Sequence, residues 1–275
     1  MGLLPLGQQT EYVSHYDVDL LFPIPRVDKW SEMGIESEKL PFYGEDIWNA
    51  YEVSWLDQKG KPIVVVAEFR FPCNSPNIIE SKSFKLYLNS FNQTSFENQD
   101  TVVALLTDDL TKAAGAEVTV MIRDLDATQS LVVIKPDYCI DDLDVEINAY
   151  HPDSSLLKLV ESDDANDGVV EESLVSHLLK SNCPVTSQPD WGSVQIGYKG
   201  KAIDHESLLK YVISFREHTD FHEQCVERMF IDIMSHCQPE SLLVSARYVR
   251  RGGLDINPYR ASYDVTLNND RLTRQ

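Results

Sequence analysis

Ser83-Phe84-Lys85-Leu86-Tyr87-Leu88-Asn89-Ser90-Phe91 aligns without gaps on Ser207-Leu208-Leu209-Lys210-Tyr211-Val212-Ile213-Ser214-Phe215, with Ser, Tyr, Ser and Phe coinciding. Phe84, Leu88 and Phe91 fall at helical spacing, so each copy opens a helix. Upstream of the first copy, Tyr51, Val53 and Trp55 alternate, a Gln-Lys-Gly-Lys turn occupies 58–61, and Ile63 to Phe71 is rich in β-branched and aromatic residues, which together read as a β-hairpin. Downstream, a second helix is expected over about 101–114, and Val118, Val120 and Ile122 alternate as a strand. The second copy sits in the same order of elements: strands at Leu174–Leu179 and Val194–Tyr198, helices at 204–217 and 220–237, and a strand at Leu242–Val249. An internal duplication accounts for both the residues and the order. Duplicated halves diverge, so a site shared between them would draw different residues from each.

The stretch from 150 to 171 is acidic and Ser-rich around Glu161-Ser162-Asp163-Asp164-Ala165-Asn166-Asp167-Gly168, too polar to pack. The organisation expected is an extended N-terminal arm at 1–45, a first module at 46–150, an acidic linker at 151–171 and a second module at 172–275. With 24 Lys and Arg against 44 Asp and Glu, the formal charge of −20 sets the surface against phosphate backbones and anionic lipid, which argues against nucleic acid and membrane as partners. An anionic ligand would need a local basic island. The dense one is Arg247, Arg250 and Arg251, with Arg260 close behind. Five cysteines, odd in number and without a CxxC, fit neither a disulfide framework nor a zinc ribbon. They suit a reducing compartment, and no apolar run approaches the roughly 20 residues a membrane span needs, so a soluble cytoplasmic protein is expected.

Four stretches could carry chemistry. Glu80-Ser81-Lys82-Ser83-Phe84-Lys85-Leu86-Tyr87 is a helix start with a carboxylate near the positive end of the dipole. Cys183 lies in a Pro-bounded loop between expected strands, with Asp190 seven residues on. Phe221-His222-Glu223 opens a helix, and Asp220-x-x-Glu223 has the form of a capping box. On the same expected helix His218, His222 and Cys225, spaced i, i+4, i+7, could hold zinc by ligand type alone. Arg250-Arg251-Gly252-Gly253 follows a strand, where guanidinium forks beside open backbone amides suit phosphates. No GxGxxG follows a strand, which argues against a Rossmann site.

At every place Glu80–Tyr87 resembles the signature of the 7-cyano-7-deazaguanine reductases, the QueF-type enzymes of queuosine biosynthesis. Ser181-Asn182-Cys183-Pro184-Val185-Thr186-Ser187-Gln188-Pro189-Asp190-Trp191, then Phe221-His222-Glu223, then Arg250 through Arg260 continue the resemblance in the family's order over nearly the whole chain. The arrangement resembles the long subgroup, with the signature in the first module and the nucleophile in the second. The resemblance implies an α+β protein of two tandem tunnelling-fold modules of ββααββ type, antiparallel sheets carrying helices on one face, and a homodimer closed by pairing of sheet edges. It implies reduction of a nitrile to the aminomethyl group at the expense of two NADPH, with Cys183 forming a covalent thioimidate and Asp190 donating the proton. Glu80, Ser81, Phe221, His222 and Glu223 would bind the deazaguanine, Glu223 accepting from its N1–H and 2-amino group. Ser81, Lys82, Ser83, Arg251 and Gly252 would bind NADPH, and no metal is expected. A thiol suits such chemistry: adding sulfur to a nitrile gives a C=N far more receptive to hydride and fixes the carbon in place. An Asp donor must keep its proton near neutral pH, which requires burial or a nearby negative charge. Two other readings use the same residues: a zinc-dependent pterin or purine-nucleotide hydrolase, and a deazapurine-binding protein without catalysis.

Overall fold

A computed structural model describes residues 13–126, 137–161 and 168–275. Residues 1–12 of the expected arm and 162–167 of the acidic stretch lie outside them. The fold is α+β, and the chain divides into two compact units. The first takes Met1–Glu38, Asp46–Gln129 and Arg250–Asp255, and the second takes Lys39–Glu45, Ser130–Val249 and Ile256–Gln275.

In the first unit the elements are β1 (Pro23–Pro25), α1 (Val27–Glu32), β2 (Tyr43–Leu56, its first three residues in the second unit), β3 (Pro62–Pro72), β4 (Asn77–Ile79), α2 (Ser81–Ser90), α3 (Gln99–Ala114) and β5 (Thr119–Arg123). The hairpin β2–β3 forms around the 58–61 turn, and β5 adds antiparallel to β3 with Phe69 opposite Val120. The core is aromatic. The Phe84 ring lies 5.3 Å from Trp48, 5.0 Å from Phe69 and 6.3 Å from Tyr87 by ring centroids, so the apolar place in the Glu80–Tyr87 run is the hub of that core. The Trp48 and Phe69 contacts are edge-to-face and the Tyr87 contact is stacked, and such aromatic pairs add about 0.5–1.5 kcal/mol each beyond area burial. The expected extended arm is not featureless: β1 pairs with β4, and α1 buries Trp30.

In the second unit come β6 (Tyr138–Cys139), β7 (Val170–Ser176), β8 (Lys180–Asn182), β9 (Pro189–Gly200), α4 (His205–Ser214), α5 (His222–Cys237), β10 (Ser241–Tyr248) and β11 (Leu254–Ala261, its first two residues in the first unit). The strand order is β11–β10–β9–β7–β6, with β8 paired to β9. All of these ladders are antiparallel except the two-residue β6–β7 pair. Strict alternation along β10 buries Leu242, Val244, Ala246 and Tyr248, as a strand covered on one face should.

The duplication holds at atomic detail. Glu80 caps α2 through Ser83 N as Asp204 caps α4 through Ser207 N. The Ser83 hydroxyl donates to Glu80 O and the Ser207 hydroxyl to Asp204 O, both at 2.7 Å. Tyr87 donates to Asp109 of α3 and Tyr211 to Asp232 of α5, again both at 2.7 Å. Each first helix ends in a 3-10 turn, and each second helix is 16 residues long. The repeat also extends upstream. Asp17 caps a 3-10 turn at Val18–Leu20 and Asp153 caps one at Ser154–Leu156; Phe22 N then reaches Ser83 Oγ and Lys158 N reaches Ser207 Oγ.

Candidate active site

Cys183 follows β8 directly and opens a tight turn closed by Cys183 N to Gln188 O and Ser187 N to Cys183 O, both 2.9 Å. Ser187 takes φ +56°, a left-handed conformation that a non-glycine residue adopts at a cost of the order of 1 kcal/mol. Asp190 then pairs with Ser181 in the β8–β9 ladder, so one hairpin carries both the thiol and the carboxyl, each almost fully buried. A second backbone link ties this hairpin to the start of α5: Asn182 N donates to His218 O at 2.8 Å, and Asp220 N donates to Asn182 O at 3.2 Å. The link brings His222 to Asp190, with Nε2 3.8 Å from Oδ1. That distance permits attraction between charges but exceeds a hydrogen bond. Tyr248 of β10 holds the imidazole edge-on, 4.0 Å between ring centroids.

Cys225, one turn into α5, is fully buried. Burial first, then the Asp220 charge, push its thiol far above the usual range, which disfavours the thiolate form. Burial also raises the Tyr248 phenol, with Cys225 and Asp190 adding to the rise. The hydroxyls of Ser181 and Tyr248 lack a hydrogen bond of ordinary geometry and lie against the weak Cys225 S–H. Neither hydroxyl could be singled out from the sequence, because β8 and β10 converge on this place only in the folded chain.

Two expectations about α5 are corrected. The helix begins at His222 with Phe221 as its cap residue and no side-chain cap; Asp220 instead accepts from the adjacent Phe221 N. The capping box therefore does not form, because Asp220 is drawn into the backbone link with Asn182. Glu223 is nonetheless almost fully buried. His218 stands outside the helix in extended conformation, facing Asp220 at 3.6 Å. Among the described residues, His218, His222 and Cys225 do not converge as metal ligands.

The first unit holds the other candidates. Glu80 accepts from Lys82 N at 2.9 Å and Ser83 N at 2.7 Å, which commits both of its carboxylate oxygens to the start of α2. Ser83 is buried within that cap, whereas Ser81 and Lys82 are half-buried. Arg251 and Gly252 belong to a reverse turn in which Arg251 N bonds Leu254 O and Leu254 N bonds Arg251 O. Gly252 and Gly253 take φ +61° and +80°. A Cβ on Gly253 would stand 2.6 Å from the Glu52 carboxyl carbon, and Glu52 in turn ion-pairs with Lys85 of α2. Glu52 therefore joins the glycine turn to the helix that begins at Ser81. Arg250 stacks on Tyr51 with its guanidinium carbon 4.4 Å from the ring centroid.

The expected basic island is smaller than the sequence suggests. Arg260 has no exposure and is paired with Glu227 of α5 at 2.7 Å, and Arg247 is held by Asn268 O and Asn269. Both serve the second unit's packing.

Against models of known families, residues 12–122 match "Nitrile reductase, 7-cyano-7-deazaguanine-reductase N-term" and residues 189–266 match "QueF-like protein". The crystal structure of the archaeosine synthase QueF-Like in the apo form is similar at 19% identity, covering 36% of this chain and 96% of that one with a TM-score of 0.31. The matched families and the duplicated α+β units define an oxidoreductase of the nitrile-reducing class. The chain belongs to the QueF-type 7-cyano-7-deazaguanine reductases, NADPH-dependent enzymes of the queuosine pathway.

Proposed function

We propose that this chain reduces the nitrile of 7-cyano-7-deazaguanine to the aminomethyl group through a thioimidate on Cys183. The observation that carries the reading is the hairpin that presents a buried thiol and a buried carboxyl together, with an imidazole 3.8 Å from the latter. Cys183 lies between the two matched stretches, so its role rests on this geometry and on the sequence around it.

Sulfur adds to the nitrile carbon, and Asp190 gives its proton to the nitrile nitrogen, yielding a neutral thioimidate. This mechanism requires Asp190 to hold its proton until that moment. After the first reduction the C–S bond breaks, and the thiolate leaves an imine, which the second reduction converts to the amine. The four electrons require two NADPH, each supplying hydride when bound. His222 returns protons to Asp190 or to the substrate nitrogen as it is reduced to the amine. Phe221 stacks on the base, and Glu223 accepts from its N–H groups. The burial of Glu223 makes an unmatched analogue costly, about 1–3 kcal/mol for each polar group left unpaired.

Ser81, Lys82, Ser83, Arg251 and Gly252 are the residues we assign to NADPH. Open space around Gly252, where an added Cβ would meet no atom within 4 Å, and the nearby cations suit an anionic cofactor on a chain of net charge −20. No metal enters the proposed chemistry. We further propose a cytoplasmic homodimer, since β5 ends its sheet as an unpaired edge among the described residues and the five cysteines are free thiols. Light scattering would give its mass.

The decisive experiment is intact mass after mixing the protein with the cyano substrate in the absence of NADPH. A single adduct of the substrate's full mass, mapped to Cys183 and absent in Cys183→Ser, is expected. No adduct, or one on another cysteine, would overturn the mechanism.

A further inference from the structure

We propose that Cys139, Asp141 and His177 form a zinc site in the second unit, apart from the Cys183 hairpin. Their ligand atoms all lie within 4.8 Å of one another, and among the described residues this is the set of Cys, His, Asp and Glu that converges so. The fold explains the convergence. Cys139 of β6 pairs in parallel with Val175 of β7, so Asp141 and His177, each two residues beyond, project on the same side as that pair.

The groups are also oriented for the task. His177 Nδ1 is 2.8 Å from Ser193 Oγ, which fixes the ring and leaves Nε2 for a ligand. Asp141 accepts from the Ser176 hydroxyl at 2.6 Å and from His177 N at 2.8 Å, and each oxygen keeps a second lone pair. Outer-shell bonds of this type are what position ligands in metal sites. One thiolate, one imidazole and one carboxylate select zinc over hard cations such as Mg2+ or Ca2+. Tetrahedral zinc needs ligand atoms about 3.6 Å apart, given bond lengths of about 2.0–2.3 Å. Cys139 is exposed and can close the difference by side-chain rotation toward the fixed His177 ring. Water takes the fourth position. The ion would fasten β6, a strand of two residues, to the end of β7.

The test uses the whole chain freed of metal and titrated with Co2+, whose tetrahedral thiolate complexes absorb in the near ultraviolet by sulfur-to-metal charge transfer. One equivalent should bind with that band and be displaced by Zn2+. Cys139→Ser should abolish the band, and His177→Gln or Asp141→Asn should weaken binding at least tenfold, while Cys183→Ser should leave it unchanged. Zinc should likewise slow alkylation of Cys139 at least tenfold. The proposal is overturned if the band is missing, if it survives Cys139→Ser, if it vanishes with Cys183→Ser, or if zinc leaves the alkylation of Cys139 unaltered.

Discussion

Replacing Glu227 by Ala removes the carboxylate from a guanidinium that has no solvent to turn to. Arg260 gives Glu227 two bonds, from Nε at 3.2 Å and from an Nη at 2.7 Å, and both side chains are completely buried. Its other Nη donates to Tyr259 O at 2.8 Å, which keeps the group hydrogen-bonded without neutralising its charge. Breaking a buried pair by removing one partner costs about 3–5 kcal/mol, whereas exchanging both partners for apolar residues of similar volume is often neutral. Glu227→Ala should therefore destabilise the second unit by about that much, and Glu227→Met with Arg260→Met by far less than the two single changes summed. Two compact units need not unfold together, so a single urea transition would mix them. Hydrogen exchange of peptides from α5 and β11 at rising urea reads the right one. A loss under about 1 kcal/mol in Glu227→Ala, or a double variant as damaged as the sum, would refute the assignment of Arg260 as a buried structural charge.

The glycine turn separates packing from ligand binding. Gly253→Ala sets a methyl against Glu52 at positive φ and should cost the first unit about 1–3 kcal/mol in thermal or urea unfolding, while Gly252→Ala, in open space, should cost about 1 kcal/mol and raise KM for NADPH. Unchanged KM would remove Gly252 from the cofactor residues. Asp232 has its pKa raised by burial, which outweighs the opposing Tyr211 hydrogen bond and the Arg228 and His236 charges. The folded state then binds this proton more tightly than the unfolded chain, so Asp232 costs stability as pH rises from the ordinary aspartate range through the raised value. Asp232→Asn cannot ionise and still accepts from Tyr211, so the stability of the variant relative to the parent should climb as pH rises above the ordinary aspartate range; a difference flat with pH would contradict the upward shift.

Most of the long elements were legible because their apolar spacing is unambiguous: the hairpin read at 51–71 is the distal part of β2 and β3, and the expected helices match α2, α3, α4 and α5 to within a few residues. What escaped has physical reasons. The first half of β2 buries Asp46 through Ala50 without a break, and β11 buries all eight of its residues, so neither shows a period of two. The short strands β1, β4, β6 and β8 owe their conformation to a partner strand, since two or three residues carry no periodicity. At the site, Cys183, Asp190 and His222 could be named from the sequence, but what joins them could not. The Asn182 link to His218 and Asp220 spans more than 30 residues, and it overrides the local capping pattern at Asp220. Arg260 misled for the same reason, since its partner Glu227 lies 33 residues away.

The duplication also explains why the proposed cofactor residues and the proposed chemistry fall in different units. The two copies share the frame that fixes the first helix: a capping carboxylate, a serine whose hydroxyl turns back on the cap, and a tyrosine bonded to an aspartate on the second helix. They differ where the frame is indifferent. Ser81-Lys82 of the first copy is His205-Glu206 in the second, so a helix start that can receive an anion has become one that repels it. Conversely, the first unit joins β2 and β3 by a short turn in which Asp57 accepts from Lys59 N and Lys61 N. The second inserts β8 and the Cys183 turn between β7 and β9. A frame stabilised by its own capping bonds tolerates both changes, because neither one touches the cap, the serine or the tyrosine that hold the first helix. Divergence could then concentrate anion recognition in one copy and sulfur chemistry in the other without either helix losing its place.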